Sequence, residues 1–263
     1  MAKDDDLLWQ HLKDLPAFRG LLRAVEARFC QDLLPLEEPV LDVGCGDGHF
    51  ASLALPTPLA AGIDPAGDVL SEARSRCAYR VLARSCGDAL PFACERFATV
   101  VSNSVLEHIP AVEPVVAEIA RVLRPGGRFI FCVPGDHFTE LLFFPTLLRR
   151  LGAEGAARAY ERYFNRISRH HHCDGPETWQ RRLDRAGLAL LDWFPYFSRR
   201  AHHALDLGHY LGLPSLVTRK LLGRWILVPT RWNLALTERT LRPFYEEPRP
   251  AVGAYLFFVA RKA

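Results

Sequence analysis

The chain has 263 residues, 49% of them hydrophobic and 24% charged, which is an ordinary globular composition with room for one large domain and insertions. Its 33 Lys and Arg against 30 Asp and Glu leave a formal net charge of +3. That excess is too slight for the basic stripe of a nucleic-acid binder, so no nucleic-acid partner is expected. The seven cysteines contain no CxxC pair, which argues against a disulfide framework or a cysteine zinc site and for reduced thiols in a cytoplasmic chain.

The acidic start, Met1-Ala2-Lys3-Asp4-Asp5-Asp6, has no apolar core and does not read as a secretory signal. No apolar run is long and unbroken enough to span a bilayer. The nearest, residues 50–63, contains Pro56 and Pro58.

Apolar positions at helical spacing over residues 7–34 (Leu8, Leu12, Leu15, Phe18, Leu21, Leu22, Val25, Phe29) predict one or two helices broken near Pro16. Residues 39–43 read as a short buried strand ending in a glycine turn, and residues 60–64 as a second strand ending in Asp64. A helix over 69–77 and a weaker strand over 79–83 follow. Residues 97–102 form a fourth strand, and 112–123 an amphipathic helix stopped by Arg124-Pro125-Gly126-Gly127. A fifth strand covers 128–133. Residues 138–170 read as helical and aromatic, and a helix starts at Pro176 and stops at Gly187. A sixth strand spans 188–197, a long helical excursion 199–250, and a last strand 254–261.

Strands alternating with helices predict an α/β fold: a Rossmann-like, seven-stranded, mostly parallel sheet with helices on both faces and an antiparallel last strand. The organisation expected is N-terminal helices over 1–36 and a core over 37–136. A helical insertion or lid at 137–175 comes next, with the core continuing over 176–198. A second insertion or lid fills 199–250, and the final strand occupies 251–263.

The informative stretch is Val40-Leu41-Asp42-Val43-Gly44-Cys45-Gly46-Asp47-Gly48, a strand running into three glycines and then a helix. The backbone there must turn sharply and let a ligand approach without a Cβ in the way. Asp64, ending the next strand, is placed to accept both hydroxyls of a ribose. A dinucleotide fingerprint needs glycine where this chain has His49, so a pyrophosphate site is not supported.

With these motifs the sequence resembles the class I S-adenosylmethionine-dependent methyltransferases, in the branch of ubiquinone and small-molecule enzymes. The resemblance is close over residues 38–135 and looser over 170–197 and 252–262. It rests on four motifs in order: residues 41–48, Gly62-Ile63-Asp64, Gly87-Asp88-Ala89-Leu90-Pro91-Phe92, and Val105-Leu106-Glu107-His108-Ile109-Pro110 leading to residues 121–127. Pro56 and Pro58 shorten the first core helix relative to the family's usual one.

The resemblance implies S-adenosylmethionine as cofactor. Asp42 and the loop holding Gly44, Cys45 and Gly46 would take its methionine end, and Asp64 with Pro65 its ribose. Asp88 and Ala89 would meet the adenine, and Asn103 would lie beside the methionine end. The implied activity is methyl transfer to oxygen, nitrogen or carbon of a small or lipid-like acceptor. The alternative is a cofactor-binding protein on the same fold with a lyase, cyclase or accessory role.

A general base, where the acceptor needs one, is expected among His108, His171 and His172, set against readings of these residues as capping, packing or solvated groups. No metal is expected from the run His170-His171-His172, even with Cys173, His202 and His203 nearby, because neighbours on an extended strand face opposite ways. Residues 199–250 mix apolar and basic residues (Trp225, Trp232, Arg219, Lys220, Arg224). They read as a lid, a homodimer interface or added core layer, or a peripheral contact with an anionic membrane.

Overall fold

The structure, a computed structural model, describes residues 6–263. Of the acidic start, only Asp6 falls within them. Its carboxylate accepts from Leu8 N at 3.0 Å and caps α1 (Leu7–Leu12). Pro16, extended, ends the connection and opens α2 (Ala17–Gln31).

The core then alternates: β1 (Val40–Val43), α3 (His49–Ala54), β2 (Leu59–Asp64), α4 (Gly67–Ser75), β3 (Tyr79–Arg84) and β4 (Phe97–Asn103). A 3-10 turn (Leu106–His108) leads to α5 (Val112–Val122) and β5 (Leu123–Pro134). The second half runs α6 (Phe143–Arg150), α7 (Glu154–Ser168), α8 (Pro176–Arg185), β6 (Leu188–Tyr196), α9 (Arg199–Leu211), α10 (Leu213–Leu222), α11 (Arg231–Tyr245) and β7 (Tyr255–Lys262). Strand β5 starts five residues earlier than the sequence suggests. The Arg124–Gly127 stretch stays extended around Gly126, and its pairing to β4 shifts register between Phe97 and Thr99.

The strands form one seven-stranded sheet in the order β3-β2-β1-β4-β5-β7-β6. Pairs among β1 to β5 are parallel, and β7 runs antiparallel to both β5 and β6. Side chains alternate across the sheet, so each strand feeds two cores. Leu41 and Val43 join Leu256 and Phe258 under α5 and α8, while Val40, Phe257 and Val259 pack beneath α1, α2 and α9. The apolar stripe of α5 (Val112, Val115, Val116, Ile119) is buried, as its spacing predicts.

Residues 199–250 divide in two. Helices α9 and α11 are layered onto α2 and α1 through Ala201, Leu205, Leu234 and Leu241, all buried. Helix α10 has no buried residue. No helix of the described residues is long and apolar enough to cross a membrane, and all seven cysteines are free.

The entry to β7 is tight. A Cβ on Gly253 would lie 2.2 Å from Tyr196 O and 2.7 Å from its N, both backbone atoms that cannot swing away. Gly253→Ala is therefore expected to cost about 1–3 kcal/mol or more, as overpacking does, read as a lower thermal midpoint. An unchanged midpoint would mean that β6 and β7 can part at this point without loss.

Candidate functional site

At the C-terminal edge of β1, β2 and β4 lies a cavity of about 700 Å³. This is where an open α/β sheet gathers ligands, because the strand order reverses beside β1. The glycine loop forms its floor. Gly44 has φ +79°, and a Cβ there would fall 2.4 Å from the Val105 side chain, so the loop can press onto that residue only as glycine. Gly46 has φ +53°, and a Cβ there would meet nothing within 4 Å. Gly46 thus leaves room at the cavity wall instead of making a contact.

Asp64 holds this loop. Its Oδ2 accepts from Gly46 N at 3.0 Å and its Oδ1 from Ala66 N at 2.9 Å. Gly44 N and Cys45 N both donate to Ile63 O at 2.9 Å, which ties the loop to β2. Asp42 is buried and accepts from the Tyr79 hydroxyl at 2.6 Å. Burial pushes its carboxyl up to about 6, with the Tyr79 bond opposing.

Asp42, Gly44, Cys45, Gly46, Asp64, Pro65, Asp88 and Asn103 all line the cavity, as does His108. Ala89 does not. Its N–H turns to Cys86 O and its carbonyl accepts from Ser85 Oγ. Both ends of the Asn103 amide have a protein partner: Nδ2 donates to Glu26 Oε2 at 2.9 Å and Oδ1 accepts from the Cys132 thiol at 2.8 Å.

Of the three candidate base residues, the structure brings only His108 to this cavity. His171 lines a second hollow next to it, shared with His108 and His170. His172 is turned away. Its Nε2 lies 3.0 Å from Ile109 O, and its Nδ1 lies 3.2 Å from Arg182 Nη2 and 3.3 Å from Asp174 Oδ2. With both nitrogens occupied, its geometry is that of a brace between the 169–175 segment and the turn before α5. His108 has Nδ1 3.1 Å from Arg169 O. A carbonyl only accepts, so Nδ1 carries the proton and Nε2 keeps its lone pair in the neutral ring. Burial, the largest influence, lowers the His108 pKa and favours that neutral ring.

The sequence reading passed over Glu26. It is completely buried on α2 and accepts from Arg23 at 2.6 Å, Asn103 at 2.9 Å, Tyr196 at 2.9 Å and Ser104 at 3.1 Å. A signal existed: Glu26 interrupts the apolar run Leu22, Val25, Phe29, and an acid buried there needs several donors. Arg19 and Arg23 from the same helix also line the cavity, and so does Arg219 of α10, which donates to Glu72 of α4 at 2.7 Å.

Residues 41–131 match the methyltransferase domain family. The ubiquinone/menaquinone biosynthesis C-methyltransferase of Desulfotalea psychrophila is 34% identical over 137 residues, covering 46% of this chain and 55% of that protein. The matched segment spans about half or less of the curated relatives. Among solved structures, a SAM-dependent methyltransferase from Thermotoga maritima superposes with a TM-score of 0.57 at 16% identity, covering 94% of this chain and 91% of that one. The [4+2]-cyclase SpnF superposes at 0.55 and 19% identity, covering 91% and 80%. Sheet order, glycine loop and strand-end acid define a Rossmann-like core of the methyltransferase type. Over residues 41–131 the chain is similar to S-adenosylmethionine-dependent methyltransferases, those of quinone biosynthesis among them.

Proposed function

We propose that this chain transfers the methyl group of S-adenosylmethionine to a small, lipid-like acceptor. The observation that carries the reading is the glycine loop, tied to Asp64 at the sheet edge, opening into one cavity with His108. The room left by Gly46 suits a bound cofactor, and the polar groups around it suit the cofactor's parts. Asp64 and Pro65 would take the ribose, and Asp42, Gly44, Cys45 and Gly46, with Asn103 close by, the methionine end. Asp88 would take the adenine, whereas Ala89 lies off the cavity wall.

When bound, S-adenosylmethionine supplies an electrophilic methyl on a sulfonium. The protein's part is to align the acceptor and exclude water, an effect worth about 7–11 kcal/mol at best. His108 Nε2 is the site we assign to the acceptor's proton. Formation of S-adenosylhomocysteine with a panel of phenolic and quinol acceptors tests the reading. Cofactor binding by calorimetry with no such product from any acceptor would favour the accessory or cyclase alternative.

The face formed by residues 207–237 is proposed to meet an anionic membrane. It holds no Asp or Glu but carries Arg219, Lys220, Arg224 and Arg231. Leu211, Leu221, Trp232 and Leu236 are each at least 76% exposed. Apolar side chains among cations suit the headgroup boundary of an anionic bilayer. Arg219, which also lines the cavity, would put the mouth beside that surface and let α10 act as a lid for the acceptor. The protein is expected to cosediment with vesicles containing phosphatidylglycerol, less so at high salt, and Leu221→Glu should abolish this. A salt-insensitive dimer with no vesicle binding would assign the face to a second copy instead. Because α9 and α11 supply core residues, a lid deletion must be confined to residues 213–229.

A further inference from the structure

Beside the cofactor cavity, Glu107, His108 and His170 converge from two segments. Each offers one ligand atom, and the three atoms lie within 4.8 Å of one another. The backbone fixes the meeting. His171 N and His172 N donate to Glu107 O at 2.7 and 3.3 Å, and His108 Nδ1 donates to Arg169 O at 3.1 Å. The run His170-His171-His172 thus contributes one ring to the cluster, with partners from the turn before α5.

We propose that these three residues bind a divalent cation, in a site of two imidazoles and one carboxylate suited to zinc or a similar borderline ion. Three features support it. The Glu107 side chain is 2% exposed, and its Oε2 is buried with no hydrogen-bond partner. An orphaned carboxylate oxygen is costly, and a cation would satisfy it. The nearby Arg23 is already paired with Glu26 at 2.6 Å. The second feature is the tautomer of His108. With Nδ1–H spent on a carbonyl, Nε2 presents a lone pair, 3.7 Å from Glu107 Oε1. Metal-bound histidines are oriented this way, by a bond from the other ring nitrogen. The third is spacing. Tetrahedral bonds of about 2.0–2.2 Å set ligand atoms about 3.3–3.6 Å apart; His108 Nε2 and Glu107 Oε1 are already at 3.7 Å, and the cluster, within 4.8 Å, closes by about 1 Å.

Three protein ligands leave a coordination position open. His108 borders the cofactor cavity, so that position would be available to an acceptor oxygen, which a cation holds as an anion near neutral pH. This consequence rests on the methyltransferase reading, and it replaces the proton role of His108: with a cation bound, Nε2 is a ligand, and only without one is it free for the acceptor's proton. Cation binding itself does not rest on that reading.

The test is equilibrium dialysis of the untagged, reduced protein against zinc, followed by elemental analysis, with visible absorption of the cobalt-loaded protein as a second readout. One equivalent is expected, weakened at least tenfold in His170→Ala, whose ring is only half-buried and whose loss should leave the fold intact by thermal midpoint. Glu107→Gln should act likewise if it folds. No saturable binding, or binding equal in wild type and His170→Ala, overturns the proposal. S-adenosylmethionine affinity measured on the same samples separates the two claims: if cofactor binds and zinc does not, only the cation site fails.

Discussion

His108→Ala is expected to lower turnover by about 10²–10⁴-fold, the usual contribution of a group that manages a substrate proton, while S-adenosylmethionine affinity stays unchanged. His108 lies on the cavity wall but outside the glycine loop, so its loss should not disturb the cofactor. The pH profile gives a second reading. Burial lowers the His108 pKa, so the ring loses its proton below the ordinary histidine range. The neutral ring is the form with a free Nε2 lone pair. Activity limited by this group should therefore rise through acidic pH and be level by neutrality. Full activity in the alanine variant would mean that the acceptor needs no such group, and that alignment alone carries the reaction.

The second large effect is expected at Asp64. Its two oxygens hold Gly46 N and Ala66 N, so one side chain sets the loop and, in the proposed reading, would also offer charge to the ribose. Hydrogen bonds to a charged group are worth about 1.5–3 kcal/mol each. Asp64→Ala should weaken cofactor binding at least tenfold by calorimetry, since about 1.4 kcal/mol is a factor of ten. Asp64→Asn keeps the shape without the charge and should fall between. Gly46→Val is a companion case: its side chain would meet no protein atom but would fill the cofactor's space and strain a loop held at φ +53°, so both effects should weaken cofactor binding. Unchanged affinity in Asp64→Ala would remove the ribose assignment.

The core was legible because its signals are local. A buried run ending in Gly44, a second ending in Asp64, and the stripe of α5 each sit within a dozen residues, and short-range periodicity carries them. The residues that meet around the cavity from afar were less so. Glu26 gathers partners from β4, the following turn and β6, and nothing near it in sequence names them. The histidine run misled for the same reason. Sequence groups His170, His171 and His172, whereas the backbone bonds to Glu107 O and the contacts of Arg182 distribute their rings among three different surroundings. The 199–250 segment read as one unit because its composition is uniform, yet burial splits it into packed α9 and α11 and an exposed α10.

The place of β7 bears on how the protein is made. It comes last in sequence among the strands but sits between β5 and β6, completing both apolar layers with alternate side chains. During synthesis, β5 must wait with a bare hydrogen-bonding edge while everything from α6 to α11 is translated. Such an edge is a template for pairing with other chains. Long-range strand insertion is also slow, because the intervening loop must be closed first. Nascent chains halted before residue 255 are therefore the species most exposed to aggregation, and the ones a chaperone would have to shield.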